Sequence, residues 1–171
     1  MPETNITTEM EIDAAHFIIA TTTKCRNIHG HRWKFRVELE GPIQEDGMVV
    51  DFLDIKKCIQ PLDHKILVPA ENERVSIEEQ GEYLRIKINS KWPHQSFEIR
   101  CPRVSVMLLP IKEVTAENLA NYVADVIAED YDLSLVKVTV WESPMSNATA
   151  IRSKKSIIIG STDWKNITLS V

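Results

Sequence analysis

"MEIDAAHFIIATTTKCRNIHGHRWKFRVELEGP" (residues 10–42) is the stretch on which the fold turns. From Met10 to Ile18 apolar and polar residues alternate, so Met10, Ile12, Ala14, His16 and Ile18 share one strand face. A second alternating run passes through "HGHRWKFRVELEG" and stops at Gly41-Pro42. The polar loop "TTTKCRN" joins the two, which predicts an antiparallel hairpin.

The hairpin also concentrates side chains able to hold a metal. His29 and His31 are two residues apart, so on a strand both rings leave the same face, with Gly30 between them. Antiparallel pairing across the loop could bring His16 opposite this pair. Three neutral imidazoles at one point are the ligand set of a catalytic zinc whose fourth position stays open. The competing reading is structural, because a histidine on an apolar strand face is usually a hydrogen-bonded core residue. Cys25 has two readings of its own: a fourth ligand closing a structural site, or an unligated thiol acidified beside a dication. Cys58 and Cys101 read as buried, inert thiols.

Outward from the hairpin, "EDGMVVDFLDIKKCIQPLDH" predicts a turn, a short strand and a helix. Asp51 is its cap, Phe52, Ile55 and Ile59 form its apolar stripe, and Pro61 is its stop. "TAENLANYVADVIAED" predicts a second helix capped by Thr115, with Leu119, Tyr122, Val123, Val126 and Ile127 on one side. "LVKVTVWES" alternates again and sets Glu142 at the end of the Val136, Val138, Val140 face, where an unpaired carboxylate is costly. A carboxylate fixed there could reach solvent, or take two parallel hydrogen bonds from a guanidine-like ligand edge. "KKSIIIGS" predicts a last strand. The segment from about 71 to 109 carries further short strands in "GEYLRIKINS", "SFEIR" and "RVSVMLL". This element order predicts an α+β fold with helices on one face of an antiparallel sheet.

The 171 residues suit a single domain over 1–171, with an insertion at about 71–109. A net charge of -5 gives no basic footprint for nucleic acid. No run is long enough to span a membrane, and "MPETNITTEM" has no signal-peptide pattern. Three scattered cysteines predict a reducing, cytoplasmic setting, in which the sequons at Asn147 and Asn166 stay unmodified.

In order, "DAAHFI", "KCRNIHGHRW", "DGMVVDFLDIKK", "LDHKIL", "VTAENLANYV" and "VKVTVWES" resemble the 6-pyruvoyltetrahydropterin synthase / 6-carboxytetrahydropterin synthase family. The resemblance implies the tunnelling fold, a four-stranded antiparallel sheet with two helices on one face, assembled as a trimer or a dimer of trimers. It implies Zn2+ held by His16, His29 and His31, with Cys25 as base and His64, with Asp63, as relay. Glu142 would grip the pterin and is sometimes counted in the relay, while Thr115 and Glu117 match a pterin-contacting helix start. The implied activity is that of a lyase acting on 7,8-dihydroneopterin triphosphate. Three residues between Cys25 and His29 resemble the carboxy-forming members; pyruvoyl-forming members usually have more. A zinc-binding module without catalysis is the remaining alternative. The compact members have little between "LDHKIL" and the second helix, whereas this chain has nearly forty residues more.

Overall fold

The computed structural model describes residues 3–154. Strands β1 (Glu3–His16) and β2 (His29–Pro42) pair antiparallel along their full lengths, from Glu3 opposite Pro42 to His16 opposite His29. The hairpin is longer than the run from Met10 predicts, because Thr4, Ile6 and Thr8 continue the inward row at period two. At its other end β1 stops at His16, so Ile18 is not on the predicted face. Phe17 and Ile19 instead turn into a second core.

Helix α1 (Phe52–Ile59) begins where Asp51 Oδ1 accepts a hydrogen bond from Leu53 N at 2.8 Å. Its buried stripe is Ile55 and Ile59; Phe52 is 47% exposed and does not belong to it. The short strand predicted before α1 is a turn. Gly47 has a φ of 84°, and Asp46 Oδ1 accepts from Met48 N, so the backbone bonds locally and not in a ladder. The chain continues through β3 (Ile66–Pro69), β4 (Val75–Gln80), β5 (Tyr83–Ile88), β6 (Phe97–Pro102) and β7 (Val106–Leu109). Helix α2 (Ala116–Asp130), β8 (Leu135–Ser143) and β9 (Ser146–Ser153) complete the described residues. The predicted strand "KKSIIIGS" lies, from residue 155 on, outside them.

Among the described residues the main sheet has six strands in the order β7-β3-β1-β2-β8-β9, which corrects the expected four-stranded sheet. The extra pair sits beside β1, and both of its joins are parallel: Ala15 opposite Ile66, and Ile66–Pro69 alongside Val106–Leu109. The inserted segment makes this possible, because it is a crossover long enough to return β7 in the direction of β3. Between them it folds as its own antiparallel sheet, β4-β5-β6. In that sheet β4, too polar to read as a strand from sequence, is held by a full ladder to β5.

Two cores result. Ile12, Trp33, Phe35, Val37, Leu39, Val138 and Val140 of the sheet pack against Ile55, Ile59, Leu119, Val123 and Ile127 of the helices. Each such side chain contributes about 1.5–3 kcal/mol when fully buried. In the second core Phe17, Ile19 and Val68 meet Leu84, Ile86 and Ile88, and the Phe17 ring lies edge-on to Phe97 at 5.4 Å. That second core clamps the inserted sheet beside the loop carrying Cys25.

Candidate functional site

The register of the hairpin builds the site. His16 ends β1 opposite His29, and His31 follows two residues along β2 on the same face. Trp33, next on that face and fully buried, stands edge-on to His16 at 5.0 Å and to His31 at 5.4 Å, forming the floor beneath the rings. Glu142 arrives from β8, which runs beside β2 with Val140 opposite Phe35 and Trp141 opposite Lys34. A register irregularity between Trp141 and Ser143 breaks the β8–β9 ladder at this residue. Such bulges re-aim a side chain. Here the carboxylate stands 3.1 Å from His31 Nε2 and 3.7 Å from His16 Nε2. One ligand atom from each of His16, His29, His31 and Glu142 lies within 4.8 Å of the others.

The hydrogen bonds decide which nitrogens face inward. His16 Nδ1 donates to the Val114 carbonyl at 2.7 Å, and His29 Nδ1 donates to the Asn27 carbonyl at 2.7 Å. Carbonyls only accept, so the proton of each neutral ring is fixed on Nδ1 and the Nε2 lone pairs point at each other, 3.1 Å apart. His31 Nε2 is buried and finds no hydrogen-bond partner among the described residues. Burial lowers the pKa of His16 to about 4, outweighing the bond to Val114, and burial likewise lowers that of His31 against the pull of Glu142. One proton could relieve only one of these contacts. A cation at the centre satisfies the facing ring nitrogens together, with the carboxylate close enough to balance its charge, so the residues fit a metal ion with nitrogen donors of the kind zinc accepts.

His16 gives the metal-free chain a pH dependence. Its folded pKa lies below the ordinary 6.5, so its neutral form contributes stability that is complete above pH 6.5 and is lost as pH falls toward 4. At about 1.4 kcal/mol per pKa unit the loss approaches ~3 kcal/mol. Urea melts in chelator should show this slope between pH 6.5 and 4, and His16→Gln should lose most of it, the remainder belonging to His31.

The other expected site residues lie outside the four-residue group. Cys25 sits half-buried in a single helical turn (Lys24–Arg26), held where its carbonyl accepts from Ile18 N at 2.9 Å. Asp63 and His64 are hydrogen-bonded to each other, Nδ1 to Oδ2 at 2.9 Å. Adjacent residues can do this only in a turn, and His64 has a φ of 56°. The turn is tied to β1 twice, by His64 N to the Asp13 carbonyl and by Asp13 N to Asp63 Oδ1. These contacts hold the Asp63 carboxyl below its usual range, the bond from Asp13 N contributing most. The His64 side chain is 78% exposed and shares with His31, Gly30 and Ser105 an open cavity of ≈ 510 Å³. Thr115 caps α2, its Oγ1 accepting from Asn118 N at 3.3 Å, directly after the Val114 carbonyl that holds His16. Glu117 is exposed in the first turn. Cys58 and Cys101 are half-buried thiols whose pKa burial pushes up. The orienting carbonyls of Val114 and Asn27, and the Trp33 floor, were not legible as site residues. Backbone acceptors leave no mark in residue identity.

Residues 5–153 match the family model for 6-pyruvoyl tetrahydropterin synthase. The 6-carboxy-5,6,7,8-tetrahydropterin synthase of Haemophilus influenzae is 32% identical over 150 residues, covering 82% of this chain and 94% of its own. A relative from Pyrococcus horikoshii, provisionally given the same name, is 35% identical over 141 residues, covering 81% and 83%. The crystal structure of 6-pyruvoyl tetrahydropterin synthase from Plasmodium vivax superposes with a TM-score of 0.70 at 26% identity, over 90% of this chain and 99% of that one. The three inward imidazoles of the hairpin lie inside the matched span, and so does the inserted sheet. By that match over most of its length, the chain belongs to the 6-pyruvoyl tetrahydropterin synthase family.

Proposed function

We propose that the chain is a zinc-dependent 6-carboxy-5,6,7,8-tetrahydropterin synthase, a lyase converting 7,8-dihydroneopterin triphosphate and water to 6-carboxytetrahydropterin, acetaldehyde and triphosphate. The observation that carries this reading is the convergence of three imidazoles on one point, two of them oriented through Nδ1 by backbone carbonyls, with a cysteine four residues before the first histidine of the HGH run. The two relatives described above, named for the carboxy-forming reaction, support the product. The product would serve the deazaguanine route to modified tRNA bases. The chain would act as one domain over 1–171 in the cytoplasm, with no nucleic acid or membrane partner. Among the described residues no helix is long and apolar enough to cross a membrane. A trimer or dimer of trimers is the assembly that the resemblance implies.

His16, His29 and His31 would hold the zinc, which supplies Lewis acidity to a substrate hydroxyl at the open position. Cys25, as thiolate, would remove and return protons at the side-chain carbons of the substrate. The Asp63–His64 pair would exchange the proton with solvent, its imidazole oriented by the carboxylate at 2.9 Å. Glu142 would take paired N–H groups of the aminopyrimidine edge, fixing where the reacting carbons lie. Thr115 and Glu117 would contact the pterin from the start of α2.

The resemblance in size to the Plasmodium vivax structure favours a second reading, the pyruvoyl-forming synthase. Product analysis separates the two, since acetaldehyde forms only when the side chain is cleaved. Acetaldehyde in step with triphosphate supports the carboxy-forming reaction, and triphosphate alone overturns it.

The role of Glu142 has its own test. Three imidazoles already complete a catalytic ligand set, and the partly exposed carboxylate is free to meet a ligand. Glu142→Gln should therefore keep stoichiometric metal and weaken pterin binding by about 1.5–3 kcal/mol, the scale of a hydrogen bond to a charged group. Loss of metal in that variant would make Glu142 a ligand, and unchanged pterin affinity would remove it from the pocket.

A further inference from the structure

We infer that the seam between the Cys25 loop and the inserted sheet is a phosphate-binding site. A cavity of ≈ 590 Å³ opens there, lined from one side by Thr22, Lys24, Arg26 and Asn27 and from the other by His94 and Ser96. Among the described residues no carboxylate lines it. Its walls offer an ammonium, a guanidinium, a protonatable imidazole and hydroxyls, the donor set that phosphate oxygens take.

The charge of Arg26 is the feature that lacks another explanation. The residue is only 5% exposed. Its guanidinium donates to the Ile19 carbonyl at 3.1 Å, the Thr21 carbonyl at 3.4 Å, and the Gln95 carbonyl at 3.1 and 3.0 Å. Every one of these acceptors is neutral, and among the described residues no carboxylate pairs with it. These bonds take four of the five guanidinium N–H groups, leaving one Nη2 hydrogen and the whole charge for a further partner, and buried charges are ordinarily compensated. The Trp92 ring, 5.7 Å from the guanidinium carbon, is a weak substitute for an anion. Beside it the Gln95 carboxamide oxygen is buried without a partner. A half-turn of that amide presents its NH2 group to a ligand.

The site adjoins the metal centre through the chain itself. Asn27, in the cavity wall, is the residue whose carbonyl fixes the His29 ring, and Cys25 lies between Lys24 and Arg26. The insertion thereby gains a task, since His94, Gln95 and Ser96 close a cavity that the hairpin loop alone leaves open. Two sources could supply the phosphate: the triphosphate tail of the substrate, which rests on the function proposed above, or a separate phosphate anion.

Calorimetric titration with inorganic tripolyphosphate tests the site on the full chain, as purified and again after metal removal, since polyphosphate also binds zinc. One saturable site per chain is expected in both states. Lys24→Glu and His94→Glu, both at exposed positions, should each weaken it at least about tenfold, the loss of one charge-assisted contact. Lys57→Ala, on α1, should bind as the unaltered chain does. Absence of saturable binding, or wild-type affinity in both glutamate variants, overturns the proposal whether or not the chain turns over a pterin. In the turnover assay, competition of tripolyphosphate with the pterin substrate assigns the cavity to its tail, and inhibition without competition assigns it to a separate anion.

Discussion

His29→Ala is expected to yield a folded chain that purifies without stoichiometric metal and without turnover. The ring is held by a single bond, from Nδ1 to the Asn27 carbonyl, and its Nε2 faces His16 Nε2 at 3.1 Å. Removing it leaves two imidazoles, and the orienting bond of His16 to Val114 is untouched. The sheet should survive, because the first core is built from Trp33, Phe35, Val37 and Leu39 further along β2. The substitution also removes a contact between two opposed lone pairs, so the metal-free variant should be no less stable than the metal-free parent. Metal analysis, with thermal melts in chelator and in zinc, distinguishes the cases. The parent should gain stability with zinc according to ligand linkage, and the variant should gain little. A variant that kept one zinc per chain with full activity would remove His29 from the site.

The hairpin, both helices and the meeting of His16, His29 and His31 were legible because each is a local pattern. Alternation at period two fixes which side chains share a strand face, and antiparallel pairing across one loop fixes what lies opposite. The sheet's width was not legible in the same way. β3 and β7 are four-residue runs whose parallel pairing depends on a crossover through the inserted sheet, so nothing within "ILVP" or "VMLL" announces the partner. Glu142 shows the intermediate case. Its strand and face were legible, but its approach to His31 depends on the pairing of β8 beside β2, a long-range contact that no local pattern announces. Arg26 was invisible for the opposite reason: an arginine in a polar loop reads as solvated, and its burial follows from the inserted sheet closing over it.

Cys25→Ala is expected to keep its metal and lose turnover by about two to four orders of magnitude, the scale of a lost general base. The first half of this outcome follows from geometry. The four convergent groups are His16, His29, His31 and Glu142, and the thiol is not among them, so its removal subtracts no donor. The second half follows from its surroundings. Cys25 lies between Lys24 and Arg26 in a turn whose carbonyl bonds Ile18 N, two residues past His16, which keeps it beside the metal-binding hairpin. A thiol that merely filled space would be replaced by alanine with little effect on rate, and one that closed the coordination sphere would take the metal with it. Single-turnover kinetics with metal analysis on the same sample separates these outcomes. Cys25→Ser sharpens the test, because a hydroxyl keeps the shape but ionises too weakly to serve as base near neutral pH. The serine variant should be as slow as the alanine variant while both retain zinc. If serine restored most of the rate, Cys25 would be a positioning residue, and the base would have to be sought at His64.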